Sequence, residues 1–322
     1  LVDRLREVGG LDAAPADAPA DDGKSVLEKA DMPKAKSVAS AAVDAFLRGA
    51  KSSPRKTRRS KEARKLRDAI EEAAFVAARQ VLESPEVERL EASIRGLRFL
   101  ADRCPVASGM KVEVLDVPLD QVGKALADRE RGDLVDEPDV AFVPFAIEDA
   151  GLLRDLAELA EDHSYPVVVD VHPSLLGEEG MAPLAEALEG RAPKDDPNDW
   201  MALRQEESSR WLCGVANRIV LLGEGAGEAN RVCFGSGVWA LAAMLAKSYG
   251  AVGSFARITG RPGSLSAPGV QTIKEGYHEG MSIPVEVFLP IRGQSDFGKH
   301  GLLAVGSERN SDRVVLAQAP MV

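Results

Sequence analysis

Apolar positions along this chain recur first with a helical period and then with a strand period, and the change comes near residue 110. Leu1, Leu5 and Val8 mark one face of a short amphipathic helix that Gly9-Gly10 ends. The Ala/Pro/Asp-rich residues 11–23 read as a flexible tether. A second amphipathic stretch runs from Ala35 to Ala50. A longer helix is expected from Lys61 to Leu82, with Leu66, Ile70, Ala73, Ala74 and Ala77 at helical spacing. Ser84-Pro85 breaks it, and Pro85 suits the first turn of the next helix, which carries Val87, Leu90, Ile94, Leu97 and Leu100.

Beyond Met110 the pattern alternates. Met110 to Val117 reads as a strand through Val112 and Val114, and Leu119 to Asp128 as a helix. Val140 to Phe145 is an apolar strand and Pro166 to Val171 a second one. Between them Ile147 to Asp162 forms a helix with Leu152, Leu153, Leu156 and Leu159 inward. Near-continuous apolar strands around a helix predict a parallel pair with a right-handed crossover, buried on both faces. Leu184 to Leu188 sits in a short helix, and Asn198 to Cys213 reads as a helix N-capped by Asn198. Trp200 and Trp211, about three turns apart, would share a face of it and pack in the core. Arg218 to Leu222 is a short strand. Gly235 to Tyr249 is a helix apolar almost all round, hence deeply buried. Strands are expected near Ser254–Thr259, Pro284–Leu289, Gly301–Val305 and Arg313–Ala317. The fold class is therefore α/β: an N-terminal helical segment followed by mixed α/β domains. The parts are 1–23 (helix and tether), 24–105 (helical region) and 106–322 (α/β core, with 106–195 and 196–322 as candidate subdomains).

Composition narrows the function classes. Hydrophobic residues are 45% but aromatics only 5%, so Ala, Val and Leu must build the core. A net charge of −11 repels phosphate over most of the surface and argues against general nucleic-acid binding. One block runs against that charge: Lys51, Arg55, Lys56, Arg58, Arg59, Lys61, Arg64, Lys65 and Arg67. Without interleaved aromatics it reads as a solvated helix face or as a contact with an acidic neighbour subunit, with Arg55, Lys56, Arg58 and Arg59 as candidates. Cys104, Cys213 and Cys233 form no C-x-x-C pair, which fits a reducing cytosol. No run approaches 18 apolar residues and no signal peptide is visible, so a cytoplasmic protein with no membrane contact is expected. The chain opens without a methionine and stops straight after an apolar run, so either end is expected to be a boundary. The short helix on its leash has two readings, a recognition peptide or a terminal helix of no separate role.

Motifs for chemistry are few. Gly223-Glu224-Gly225-Ala226-Gly227 follows a strand but lacks the G-x-G-x-x-G spacing, and its carboxylates would oppose a pyrophosphate. Gly23-Lys24-Ser25 resembles the end of a phosphate loop, yet Ala18 stands where the first glycine belongs. Asp170 and His172 close the strand Pro166–Val171, where α/β enzymes put ligands or bases, and alternation would turn both to one face. His163, His278 and His300 show no ligand spacing with them. No catalytic set, metal or cofactor is expected. The alternative is an α/β metal-dependent or hydrolytic enzyme using Asp170 and His172.

The block Ser84 to Leu100, and within it Leu90-Glu91-Ala92-Ser93-x-Arg95-Gly96-Leu97, resembles the signature of the TssC/VipB/EvpB family, the large sheath subunits of type VI secretion systems. Ile94 stands where that signature has tryptophan. Weaker blocks follow in the same order: Met110–Leu115, Trp200–Trp211, Trp239-Ala240-Leu241-Ala242, Pro284-Val285-Glu286-Val287, Gly301–Val305 and Asp312–Gln318. The family's sequences continue past the point where this chain stops, with strands that interlock neighbouring subunits. The resemblance implies a cytoplasmic structural protein that pairs with a small sheath subunit (TssB/VipA-like). Copies would self-assemble as a helical polymer around an inner tube protein, and contraction would drive effector export. It also implies a ClpV-type ATPase partner gripping an N-terminal helix, for which Leu1, Val2, Leu5 and Val8 are the candidates here. A soluble adaptor that binds sheath parts without joining the lattice is a further reading.

Overall fold

The computed structural model describes residues 58–105, 109–130, 138–224, 231–274, 276 and 278–317. The chain divides into two units, residues 1–74 and 75–322. The expected helix at Ala35–Ala50 lies outside the described residues, as do Leu1, Val2, Leu5, Val8, Arg55 and Lys56. Helix α1 (Arg58–Leu82) starts earlier than expected, so Arg58 and Arg59 open it. Ser84, extended at φ −67° and ψ 139°, then admits Pro85 as the first residue of α2 (Pro85–Ala101).

The central feature is a sheet of four strands, β1 (Ala141–Ile147), β2 (Val167–Val171), β3 (Leu212–Ala216) and β9 (Leu303–Ala304), in the order β1-β2-β3-β9 with every neighbouring pair parallel. β2 is buried along its whole length because it is an unbroken run of β-branched residues around Asp170. Its alternation sorts two cores. Val167, Val169 and Val171 face α3 (Val122–Glu130), α4 (Ala150–His163), α5 (Met181–Leu188) and α6 (Asn198–Gln205), through Leu126, Leu153, Leu156, Leu184 and Leu203. Val168 faces the other core with Val215, α7 (Gly237–Val252) and Phe99 of α2. The expected parallel β-α-β pair is therefore present, though Leu152 and Leu159 are only partly buried beside Leu153, Leu156, Ala157 and Ala160. Because β1 and β2 lie before residue 195 and β3 and β9 after it, the sheet itself joins the two candidate subdomains.

Several expectations are corrected. Met110–Val117 forms no ladder among the described residues; Val112 and Val114 stay exposed beside it. The helix expected over Asn198–Cys213 ends at Gln205, where Glu206 turns extended, and a 3₁₀ turn (Glu207–Trp211) leads into β3. The cap position is Pro197, so Asn198 is already helical. The two tryptophans thus share no helix face. Trp200 is buried and its Nε1–H donates to the His300 carbonyl at 2.9 Å. The strand after Arg218 becomes β4 (Ile219–Glu224), and it pairs antiparallel with an unexpected β5 (Arg231–Gly235). Ser254–Thr259 and Pro284–Leu289 are not strands; Val285 makes a single bridge to Ile219. Small sheets arise instead from β6 (Leu265–Ser266), β10 (Gly306–Ser307) and β11 (Arg313–Val315), and from β7 (Gln271–Thr272) with β8 (Ser282–Ile283). Helix α8 (Ile291–Lys299) was not expected.

One residue ties these parts. Asn217, between β3 and β4, is left-handed at φ 73° and buried. Its Nδ2–H₂ donates to the carbonyls of Val287 (2.9 Å) and Val305 (2.7 Å), and its Oδ1 accepts the Val287 N–H at 3.1 Å. Gly237 opens α7 against this turn, because a Cβ there would lie 2.4 Å from the Asn217 carbonyl oxygen. Replacing Asn217 by Ala strands the buried Val305 carbonyl and two part-buried groups of Val287, and adds a strained φ, so Asn217→Ala is expected to lose about 3 kcal/mol in denaturant unfolding. Asn217→Gly relieves the backbone alone and should lose less.

Candidate functional site

The block Leu90–Leu97 on α2 divides by face. Glu91 accepts hydrogen bonds from Arg95 Nε at 2.8 Å, one turn on, and from both terminal nitrogens of Arg231 on β5. Arg231 is buried. Burial pushes the Glu91 carboxyl up, but the hydrogen bonds of Arg231 and Arg95 outweigh it and hold the group below the ordinary carboxylate range. Gly96 is buried beneath the indole of Trp239 on α7; a Cβ there would fall 2.2 Å from Trp239 Nε1. Ser93 Oγ donates to the Arg89 carbonyl at 2.8 Å and stays local. Leu90 and Ile94, apolar positions of the same helix, each keep 60% of their surface exposed.

Those two residues form one wall of a groove of about 520 Å³, together with Leu97. The other wall is Val112–Val117 and the β1 residues Phe142 and Phe145, and Trp239 reaches it between them. Val114 is 61% exposed. The charged residues among its lining are both acidic, Glu113 and Asp116, with Lys111 paired to Glu113 at 2.6 Å. β1 is an outer strand of its sheet, and its register shifts between Val143 and Ala146 around Pro144. Proline and an irregular register both blunt a strand edge. An exposed, contiguous apolar surface of this kind is suited to gripping another chain.

Asp170 and His172 are not brought to one point. Asp170 is buried and hydrogen-bonded to Ser236, the residue that caps α7 by accepting the Val238 N–H at 3.1 Å. Burial pushes its carboxyl up to about 6, partly offset by Ser236 and by Arg218. Arg218 is itself held by Glu286 through bonds of 2.7 and 2.8 Å. His172 instead caps a 3₁₀ turn, its Nδ1 at 2.8 Å from Ser174 Oγ and its Nε2 at 3.6 Å from Glu148. Gly223 and Glu224 end β4, and Gly225, Ala226 and Gly227 lie outside the described residues. Burial pushes the Cys213 thiol up to about 11, which makes it a packing group.

Sequence reasoning missed a buried pair. His300 Nδ1 lies 2.7 Å from Asp196 Oδ2, with neither side chain exposed, and Arg204 stands 3.6 Å from the same oxygen. The two residues are 104 apart in the chain, and no local spacing signals them. No group of three or more His, Cys, Asp or Glu among the described residues is placed to hold a metal ion. No helix among them is long and apolar enough to cross a membrane.

Compared with known proteins, the chain matches no protein-family model and no curated protein.

Two outcomes follow from this geometry. Gly96→Ala must displace the Trp239 ring and is expected to cost about 1–3 kcal/mol, with a shift in tryptophan emission. Trp239→Leu in the same chain should recover part of that loss. The Asp170 carboxyl binds its proton more tightly folded than unfolded, so its ionisation opposes folding. That penalty is absent below the unfolded value of 3.8, grows as pH rises towards 6, and reaches on the order of 3 kcal/mol at neutrality. Asp170→Asn should therefore gain stability relative to wild type between pH 4 and pH 7. A difference flat across that range would rule out titration at this position.

Proposed function

We propose that this chain is a structural subunit of a contractile sheath of the type VI secretion kind. The observation that carries the reading is the contact of Gly96 with Trp239. Both residues belong to segments that resemble separate blocks of the large-subunit family, Leu90–Leu97 and Trp239–Ala242, and these segments pack on each other here. A sheath subunit keeps its fold and exchanges neighbours during contraction, a rigid-body transition that needs surfaces able to grip other chains. The exposed groove between α2, Val112–Val117 and β1 is such a surface. The partners of this reading are a small sheath subunit, further copies of the chain, an inner tube protein and a ClpV-type ATPase acting on Leu1, Val2, Leu5 and Val8. An enzyme built on Asp170 and His172 would need both side chains at one ligand, whereas each is engaged by different neighbours.

Co-expression with a small sheath subunit followed by electron microscopy tests the proposal directly. Tubular polymers are the expected result, and a soluble one-to-one complex would point to the adaptor instead. Reversing charge at Arg55, Arg58 and Arg59 should reduce polymer yield while leaving the unfolding midpoint unchanged. Normal polymers from the reversed variant would remove the basic block from the lattice contacts.

A further inference from the structure

We propose that residues 112–117 pair antiparallel with the same segment of a second copy, so that the chain associates as a two-fold dimer. The segment alternates as a strand does, with Val112, Val114 and Asp116 on one face and Glu113, Leu115 and Val117 on the other. Its valines favour that state. Yet it joins no ladder. Among the described residues, the backbone of Val112, Val114, Leu115, Asp116 and Val117 makes no hydrogen bond. Val112, Val114 and Leu115 are 49%, 61% and 44% exposed. An apolar run with bare N–H and C=O groups is a template for a further strand. The edge of β1, which lines the same groove, is a poor template, because Pro144 and the shifted register interrupt it.

An antiparallel edge is its own complement: turned about a two-fold axis, the donors of one copy meet the acceptors of the other. The side chains fit this arrangement too. With Val114 on the axis, Val112 lies opposite the partner's Asp116, and Glu113 opposite the partner's Leu115, so no like charges face each other. Centring the pair on Glu113 instead would oppose two carboxylates. The hydrogen-bonded positions on that edge are 112, 114 and 116, all with unpaired backbone. Lys111 keeps its own Glu113 at 2.6 Å, and no ion pair across the axis is needed. Because the same surface is used on both sides, the contact closes at two copies. It needs no companion protein and stands or falls separately from the sheath reading.

Sedimentation velocity and hydrogen exchange of the pure full-length chain test it. The chain should pass from monomer to dimer as concentration rises, and amide exchange across residues 112–117 should slow in step. Val114→Pro removes the central donor, and Val114→Lys puts a charge on the axis. Both side chains stand in water in the monomer, so each variant should weaken the dimer more than about tenfold with its unfolding midpoint unchanged. Where proline shifts that midpoint, the lysine variant decides. A wild-type chain that stays monomeric at every concentration overturns the proposal. So does a dimer in which 112–117 exchanges as freely as in the monomer, or a Val114→Lys variant that dimerises like wild type.

Discussion

Helix α2 can reach α7 only because residue 96 has no side chain. The Trp239 indole occupies the volume a Cβ would need, and this contact sets how closely the two helices approach. Phe99 and Leu100, one turn further along α2, then enter the core that α7 shares with β2 and β3. Glu91 holds the same helix from its N-terminal side through buried Arg231 on β5. A bulky contact and a charged clamp together fix the rotation of α2 about its own axis. That rotation sends Leu90 and Ile94 outward and so creates the groove.

Charge withdrawn wholly or partly from water is handled in two contrasting ways. Glu91 receives three donors from two arginines, which more than compensate its loss of water. Asp170 receives a hydroxyl and a distant guanidinium that Glu286 already holds, and its ionised form remains disfavoured. The two groups pull in opposite directions as pH falls. The Glu91 contribution is present above the ordinary carboxylate range and is lost on acidification, while the Asp170 penalty is relieved over the same change. Where the sheet layer meets α7, the fold thus keeps a carboxylate whose charge is a cost. Its hydroxyl partner Ser236 is also the cap of α7, so the strand end and the helix start are joined through one side chain.

Periodicity revealed the elements whose burial is decided locally. β2 is legible because Val167-Val168-Val169 and Val171 admit no other reading, and α7 because it is apolar on every side. The failures have physical causes. Leu212 and Cys213 read as the end of the preceding helix, and pairing with β2 makes Leu212–Ala216 a strand. β5 carries Arg231 at its start, and the reason that residue belongs in a strand is Glu91, 140 residues away. α8 contains Gly293 and Gly298 and little apolar spacing, so its helical signal is weak. The α2 heptad-like pattern was visible, but the face that turns inward depends on Gly96, whose partner lies far along the chain. The same holds for Asp196 and His300.

The exposed surface of α2 is informative because the chain had cheaper ways to cover it. A polar residue at position 90 or 94 would keep the helix, since neither side chain supports the core. Leucine and isoleucine there place apolar area in water next to Val112, Val114 and Phe145, which are exposed as well. Each alone would be unremarked on any protein surface, but their contiguity around one groove is not what scattered exposure produces. The wall facing α2 makes no strand ladder among the described residues, so hydrogen bonding does not account for its apolar alternation. Both walls together therefore form one continuous apolar surface left open among the described residues, set by the rotation of α2 rather than by the needs of the core.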